Sequence, residues 1–255
     1  MIILHGLYGS GDNWLSIGKS LSGFCEVYLL DQRNHGNSFH HDQHNYEVLM
    51  TDLKEFLDQQ GIEKTMILGH SMGGKVAMRF AIEYPGMITK LIIADVSPGS
   101  YIDKVNTNNH VRIHEKVIGA MMSVDLHAVN GLADVESHLA GYLPDERMRK
   151  FLLKNLKKGE DRRYFWRLNL KALKNNLSAI SDGLDLERLK TLEVRGFPIL
   201  FIRGDESDYI QADDMDLIKA IFPLSQMVTL KNAGHWLHAE QPEMFTRVVK
   251  RFILS

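Results

Sequence analysis

The chain is poor in the features that mark several large functional classes. Among its 255 residues there is one cysteine, Cys25, so no internal disulfide can form. That fits a reducing compartment, and without basic neighbours Cys25 reads as a small buried hydrophobe, not a reactive thiol. The excess of charge is slight, −2 in total, which gives no electrostatic case for binding nucleic acid or an anionic membrane surface. Apolar runs stay far short of the roughly 20 residues of a membrane span. The start, Met1-Ile2-Ile3-Leu4-His5, has neither a basic region nor a long apolar stretch of the kind that opens a secretory signal. A cytoplasmic location is therefore expected.

What is present is a buried-sheet pattern. Six short apolar runs read as parallel strands: Ile2–Leu4, Val27–Leu30, Met66–Leu68, Leu91–Ala94, Ile199–Arg203 and Gln226–Leu230. Helical patterns at Trp14–Ser22, Tyr46–Gln59, Met72–Glu83, Ala212–Ile221 and Pro242–Ile253 alternate with them. The third should end near Tyr84, because Pro85 disfavours a helical conformation in the residue before it. Alternation of this kind implies an α/β fold with a mostly parallel sheet and helices on both faces.

The alternation breaks between Ala94 and Ile199. About a hundred residues there show no convincing strand but carry helical patterns near Asp103–Ala120, Ser123–Leu139, Asp145–Lys157, Asp161–Ile180 and Leu184–Leu192. A structureless loop of that size is improbable. The expected organisation is a core of residues 1–97 and 196–255 with a helical cap, 98–195, inserted over the strand ends, where α/β sheets place ligands. The cap's apolar residues, such as Met121, Met122, Leu139, Phe165 and Trp166, are candidates for its own core and for the lining of a substrate pocket.

The chemistry centres on Gly69-His70-Ser71-Met72-Gly73. A buried run leads into it and a helical pattern leaves it, the context of the G-x-S-x-G elbow that lifts a serine above the end of a sheet. Chance alone supplies the pattern in roughly one chain in ten of this length, given average glycine and serine usage, so the context carries the argument. Acyl transfer by a serine requires a base, an acid to orient it and donors for a developing oxyanion. His235, between the last strand and the last helix, is the candidate base. The donors are expected to be the amides of Met72 and Leu7, with Tyr8 the alternative to Leu7 in the glycine-rich loop His5-Gly6-Leu7-Tyr8-Gly9-Ser10-Gly11. Tyr8, His70 and Trp236 adjoin these groups and are the expected substrate contacts. For the acid, Asp95, Asp205 and Asp208 all fit the order serine, acid, histidine, and spacing does not separate them. The chemistry calls for no metal or cofactor. His40-His41-Asp42-Gln43-His44 reads as a polar loop because no wider ligand set accompanies it.

Four segments together resemble the YbfF-type esterases of the α/β-hydrolase superfamily. They are His5–Ser10, Asp31-Gln32-Arg33-Asn34-His35-Gly36-Asn37-Ser38, Gly69–Lys75 and Gly234–Glu240. The resemblance covers most of the core, and the second segment is its most specific part. It implies that the acid comes from the end of the strand before the insert, in Asp95-Val96-Ser97-Pro98; the position used more widely in the superfamily holds Ser207 here. Asp208 departs from the group's pattern and stays open as the alternative acid. The strands that usually precede Ile2–Leu4 are not in this sequence. Arg33, Asn34 and His35 are read as a turn that braces the neighbouring loops. The resemblance further implies hydrolysis of short to medium acyl esters, extending to acyl-coenzyme A thioesters. Two other readings are lyase or carbon–carbon hydrolase chemistry on the same serine–histidine pair, and a non-catalytic small-molecule receptor. A serine at 71 argues against the routes that need a carboxylate nucleophile.

Overall fold

A computed structural model describes residues 1–102, 110–184 and 193–255. Six strands form one sheet: β1 (Ile2–Leu4), β2 (Tyr28–Leu30), β3 (Thr65–His70), β4 (Ile88–Ala94), β7 (Ile199–Gly204) and β8 (Gln226–Leu230). Every pairing between them is parallel, in the order β2-β1-β3-β4-β7-β8. Successive side chains of a strand point to opposite faces, and here both faces are covered. Ile67, Leu91, Ile93 and Phe201 enter one apolar cluster with the helices Tyr46–Gln59, Met72–Glu83 and Asp214–Ile221. Leu68, Ile92, Leu200 and Ile202 enter the other, with Leu15–Leu21 and Pro242–Leu254. Burial on both sides is why these strands read as continuous apolar runs. The helix after β3 ends at Glu83, one residue short of the Tyr84–Pro85 step, as the proline requires.

The register brings three strand ends level. Leu4 pairs with Gly69 and His70 with Ala94, so β1, β3 and β4 finish side by side. Their loops open at one edge.

Between β4 and β7 the described chain carries helices His110–Met122, Leu132–Ala140, Glu146–Leu153, Leu170–Asn175 and Leu177–Ser181. The expectation of an insert without strands needs correction. Leu156–Lys158 (β5) and Tyr164–Trp166 (β6) form an antiparallel hairpin, so the helices expected over Asp145–Lys157 and Asp161–Ile180 are both cut short. Three consecutive aromatic residues favour a pleated surface. Gly159 and Arg162, the latter at φ 64°, turn the chain between the strands. The helix expected over Ser123–Leu139 starts only at Leu132. The helix expected from Asp103 is seen from His110 onward. Residues 103–109 and 185–192, which hold the rest of it and nearly all of the Leu184–Leu192 expectation, lie outside the described residues.

Candidate active site

Ser71 follows β3 directly and sits at φ 53°, ψ −120°, a conformation that L side chains rarely adopt. The surroundings enforce it. The Ser71 amide continues the sheet ladder by donating to the Ala94 carbonyl (3.0 Å), and the helix begins one residue later. A methyl group at Gly69 would collide with the Gly73 carbonyl, and one at Gly73 with the Leu4 carbonyl. The two glycines are thus required by close backbone approach. Asp95, one strand over, is also left-handed (φ 52°), and its amide donates to the Ile202 carbonyl at 2.8 Å.

These two turns aim their side chains at His235. Its Nε2 lies 3.0 Å from Ser71 Oγ and its Nδ1 2.8 Å from Asp95 Oδ2. The tautomer that matches both partners carries the proton on Nδ1, donated to the carboxylate, and leaves Nε2 free to accept from the hydroxyl. Tyr209 stacks on the imidazole at 3.6 Å between ring centroids. Burial holds His235 below the ordinary histidine range, so the neutral ring persists. Asp95 is fully buried, which pushes its carboxyl upward. The Ser207 hydroxyl and the Gly204 amide donate to it and work in the opposite direction. Asp208 is exposed and reaches His110 at 3.8 Å, not the His235–Asp95 pair. In the sequence Ser207 marks only the place where the wider superfamily's acid is missing, and no local signal announces its donation to Asp95.

The loop after β1 is a tight turn in which the Gly9 amide donates to the Gly6 carbonyl at 2.9 Å. His5 Nδ1 also donates to that carbonyl (2.9 Å), while His5 Nε2 accepts from the Gln32 amide (3.0 Å). With the Gly6 oxygen held from two sides, a planar trans peptide sends the Leu7 N–H the opposite way. The Tyr8 amide, by contrast, is committed to His35 Nε2 at 3.2 Å. Of the two donors weighed for this loop, the Tyr8 amide is thus engaged elsewhere, which leaves Leu7 as the candidate. Met72 is the first residue of its helix, where the amide has no partner inside the helix. Of Arg33, Asn34 and His35, read as a bracing turn, it is His35 that reaches the loop after β1, while Arg33 pairs with Asp52 and Asn34 bonds His41 and Asn169. Asp31 accepts from the Gly11 and Asn37 amides, each at 2.7 Å, and His35 holds Tyr8. His44 lies buried beside His35.

Two small cavities meet at Ser71. One, about 50 Å³, lies on the His235 side and is bordered by Tyr8, His70, His114, Phe151 and Trp236. The other, about 30 Å³, lies on the Met72 side against Leu7, Tyr46, Tyr101, His110 and Tyr209. All three expected contact residues, Tyr8, His70 and Trp236, thus border the serine's cavity, and His70 Nε2 also donates to the His235 carbonyl at 2.8 Å. The residues of the insert that border this cavity are His114, Met148 and Phe151, and Tyr101, His110, His114, Ile180 and Ser181 border the smaller one. The five suggested from sequence do not: Met121, Leu139 and Trp166 pack inside the cap, and Met122 and Phe165 are exposed. Helical spacing distinguishes an inward face from an outward one, but not which inward residue meets another domain. A larger cavity of about 260 Å³ lies apart from Ser71, between Leu30, Arg33 and Phe56.

Comparison with known proteins agrees with this architecture. A family model described as alpha/beta hydrolase fold matches residues 1–242. The Escherichia coli esterase YbfF is 31% identical over 99% of this chain and 92% of its own length. The zebrafish sn-1-specific diacylglycerol lipase ABHD11 is 34% identical over 99% of this chain and 78% of its own. Among solved structures, a marine microorganism esterase superposes with a TM-score of 0.91 at 44% identity, covering 98% of this chain and 94% of that one.

Proposed function

The chain belongs to the α/β-hydrolase family, and on that premise we propose that it is a serine hydrolase of carboxylic esters, working through an acyl-enzyme on Ser71. The observation that carries the reading is the unbroken relay Asp95–His235–Ser71, with contacts of 2.8 and 3.0 Å. His235 Nε2 takes the hydroxyl proton as Ser71 Oγ attacks the acyl carbon. The carbonyl oxygen becomes an oxyanion facing the Leu7 and Met72 amides, each worth roughly 3 kcal/mol to the transition state. His235 then gives its proton to the leaving oxygen, and the alcohol departs. Water repeats the sequence: His235 accepts its proton, hydroxide attacks the ester on Ser71, His235 returns the proton to Ser71 Oγ as the acyl–oxygen bond breaks, and the carboxylic acid is released with the resting pair restored. Asp95 keeps the imidazole in the productive tautomer and stabilises it when charged.

The leaving group must lie beside His235 Nε2, which assigns it to the Tyr8–Trp236 cavity and the acyl group to the one beside Met72. The latter holds about 30 Å³, which favours short acyl chains. Tyr8, His70 and Trp236 contact the substrate. Thioesters, acyl-coenzyme A among them, are cleaved by the same steps, with the sulfur leaving. Residues 98–195 act as a cap on a core of 1–97 and 196–255.

The test is direct. A fluorophosphonate should label Ser71, and p-nitrophenyl butyrate should be turned over by the wild type but not by Ser71→Ala. Failure of folded protein to take up the probe would sink the proposal. Labelling without turnover of any ester or thioester, over a range of acyl lengths and leaving groups, would redirect it to lyase or carbon–carbon bond chemistry. Among the described residues no helix is long and apolar enough to cross a membrane, so the assay needs no detergent on that account.

A further inference from the structure

We propose that Asn155, a residue of the insert, positions the oxyanion-binding turn, so that the seating of the cap and the catalytic power of the core are coupled. The inference rests on the esterase reading above and adds a residue to it.

Tyr8 is the point where the two regions meet. Its backbone belongs to the turn after β1, while its ring is 2% exposed inside the cap's own apolar cluster, with Ile118 and Leu139 among its members. It is left-handed at φ 63°, a conformation a tyrosine holds only under restraint. Each of its polar groups is restrained. The core holds the amide through His35 Nε2, at 3.2 Å. The cap holds the other two: Asn155 Nδ2 donates to the Tyr8 carbonyl at 2.8 Å, and His114 Nδ1 lies 3.2 Å from the Tyr8 hydroxyl. Tyr8 follows Leu7, whose amide is the proposed oxyanion donor. If Tyr8 relaxes out of its left-handed state, the Gly6–Gly9 turn opens and the Leu7 N–H loses its aim.

Asn155 is built for this task. It is 3% exposed and sits where the helix Glu146–Leu153 gives way to β5. Its own amide donates to Leu152 at 2.9 Å, and its carbonyl accepts from the Arg167 amide at 2.8 Å. Arg167 follows β6 and clamps back onto the core, with Nη1 2.9 Å from Asp12 and Nη2 3.5 Å from Asp31. The hairpin that interrupts the helical pattern thus delivers two anchors, one just before its first strand and one just after its second, to the loops beside Ser71. His114 alone would not do so, because it holds the Tyr8 side chain by its hydroxyl, whereas Asn155 holds the backbone.

A positioning role differs from a stabilising one in what it changes. The tests are Asn155→Ala and Asn155→Asp, the latter nearly isosteric but without the donor. Arg149→Met serves as the control for a loosened cap, because Arg149 bonds the Leu143 and Pro144 carbonyls and pairs with Glu136, all within the insert. For p-nitrophenyl butyrate, both Asn155 variants should lose about 10- to 100-fold in kcat with KM within about threefold, less than the loss of a whole oxyanion donor. A butyryl trifluoromethyl ketone, which adds to Ser71 as an oxyanion, should lose affinity by the same factor. Arg149→Met should keep both values near wild type. A folded Asn155→Ala with wild-type kcat would overturn the proposal. So would equal losses in Arg149→Met, or failure of both Asn155 variants to fold, which would make the residue purely structural. If the wild type itself is inert to ester and ketone, the esterase reading falls as well, and the two failures are told apart.

Discussion

The sheet's edge and the insert above it are built on opposite principles. Ser71, Asp95 and Tyr8 all stand in left-handed backbone at the ends of three adjacent strands, and each is held there by ladder bonds or by buried side chains. The insert places ordinary helices and one hairpin over them, borders the serine's cavity with His114, Met148 and Phe151, and anchors to the neighbouring loops through Asn155, His114 and Arg167. Strain of about 1–3 kcal/mol per residue persists only where the surroundings over-determine it. The core therefore stores the geometry, and the insert restrains it. Substitutions in the two regions should fail differently.

The largest effect belongs to the core relay. Asp95→Asn should lower kcat by about 10⁴-fold, because the amide favours the wrong imidazole tautomer. Asp208→Asn, outside the relay, should stay within a few-fold. The reverse ranking in steady-state kinetics would move the acid to the other strand. Next comes the elbow. Gly73→Ala puts a methyl into the Leu4 carbonyl, backbone against backbone, and no rotamer can relieve it. We expect poor folding yield or a loss of several kcal/mol in urea unfolding. An insert anchor should cost less: Arg167→Met removes a buried guanidinium, its packing and its contacts with exposed Asp12 and with Asp31, and should destabilise by about 1–2 kcal/mol. Its unfolding midpoint should fall while fluorophosphonate labelling of the folded fraction persists.

The same division governs what could be read from the sequence. Core strands, the elbow and the base were legible because parallel strands buried on both faces leave apolar runs, and an elbow tolerates only glycine at Gly69 and Gly73. Arg33, Asn34 and His35 were legible as a turn, though not the fact that His35 would hold the Tyr8 amide. The acid could not be chosen from spacing, because Asp95 and Asp208 both follow strands that end at the same edge; the resemblance pointed to Asp95, and the 2.8 Å contact lies there. The insert was the least legible. A helix-forming composition around Leu156–Trp166 hid a three-residue pairing set by one glycine turn and an aromatic triplet. Contacts such as Asn155 to Tyr8, 147 positions apart, leave no local signature at all.

The smallest effect, per residue, is in the pH dependence of stability, and it separates core bracing from insert bracing. His5 and His35 hold the Gly6–Gly9 turn as neutral rings. Burial lowers His5 to about 4 and His35 to about 3, against 6.5 for an open histidine. Their folded pKa values lie below the unfolded ones, so acid favours the unfolded chain, which takes up the protons that the folded chain refuses. Stability is therefore complete above about pH 6.5 and falls as the pH drops toward 4, by about 1.4 kcal/mol per pH unit for each ring. Urea unfolding at pH 7.5 and 5.5 measures the slope. His35→Gln keeps an acceptor near the Tyr8 amide but cannot titrate, so it should shed one ring's share of that slope. His114, lowered to about 3 in the insert, should contribute a similar share in His114→Gln. The two differ in kinetics. Losing the ring under the Tyr8 amide should also lower kcat, whereas losing the one at the tyrosine tip should chiefly change KM. If both variants lower kcat alike, the turn is held as much from its side chain as from its backbone, and the division between stored geometry and restraint gives way at Tyr8.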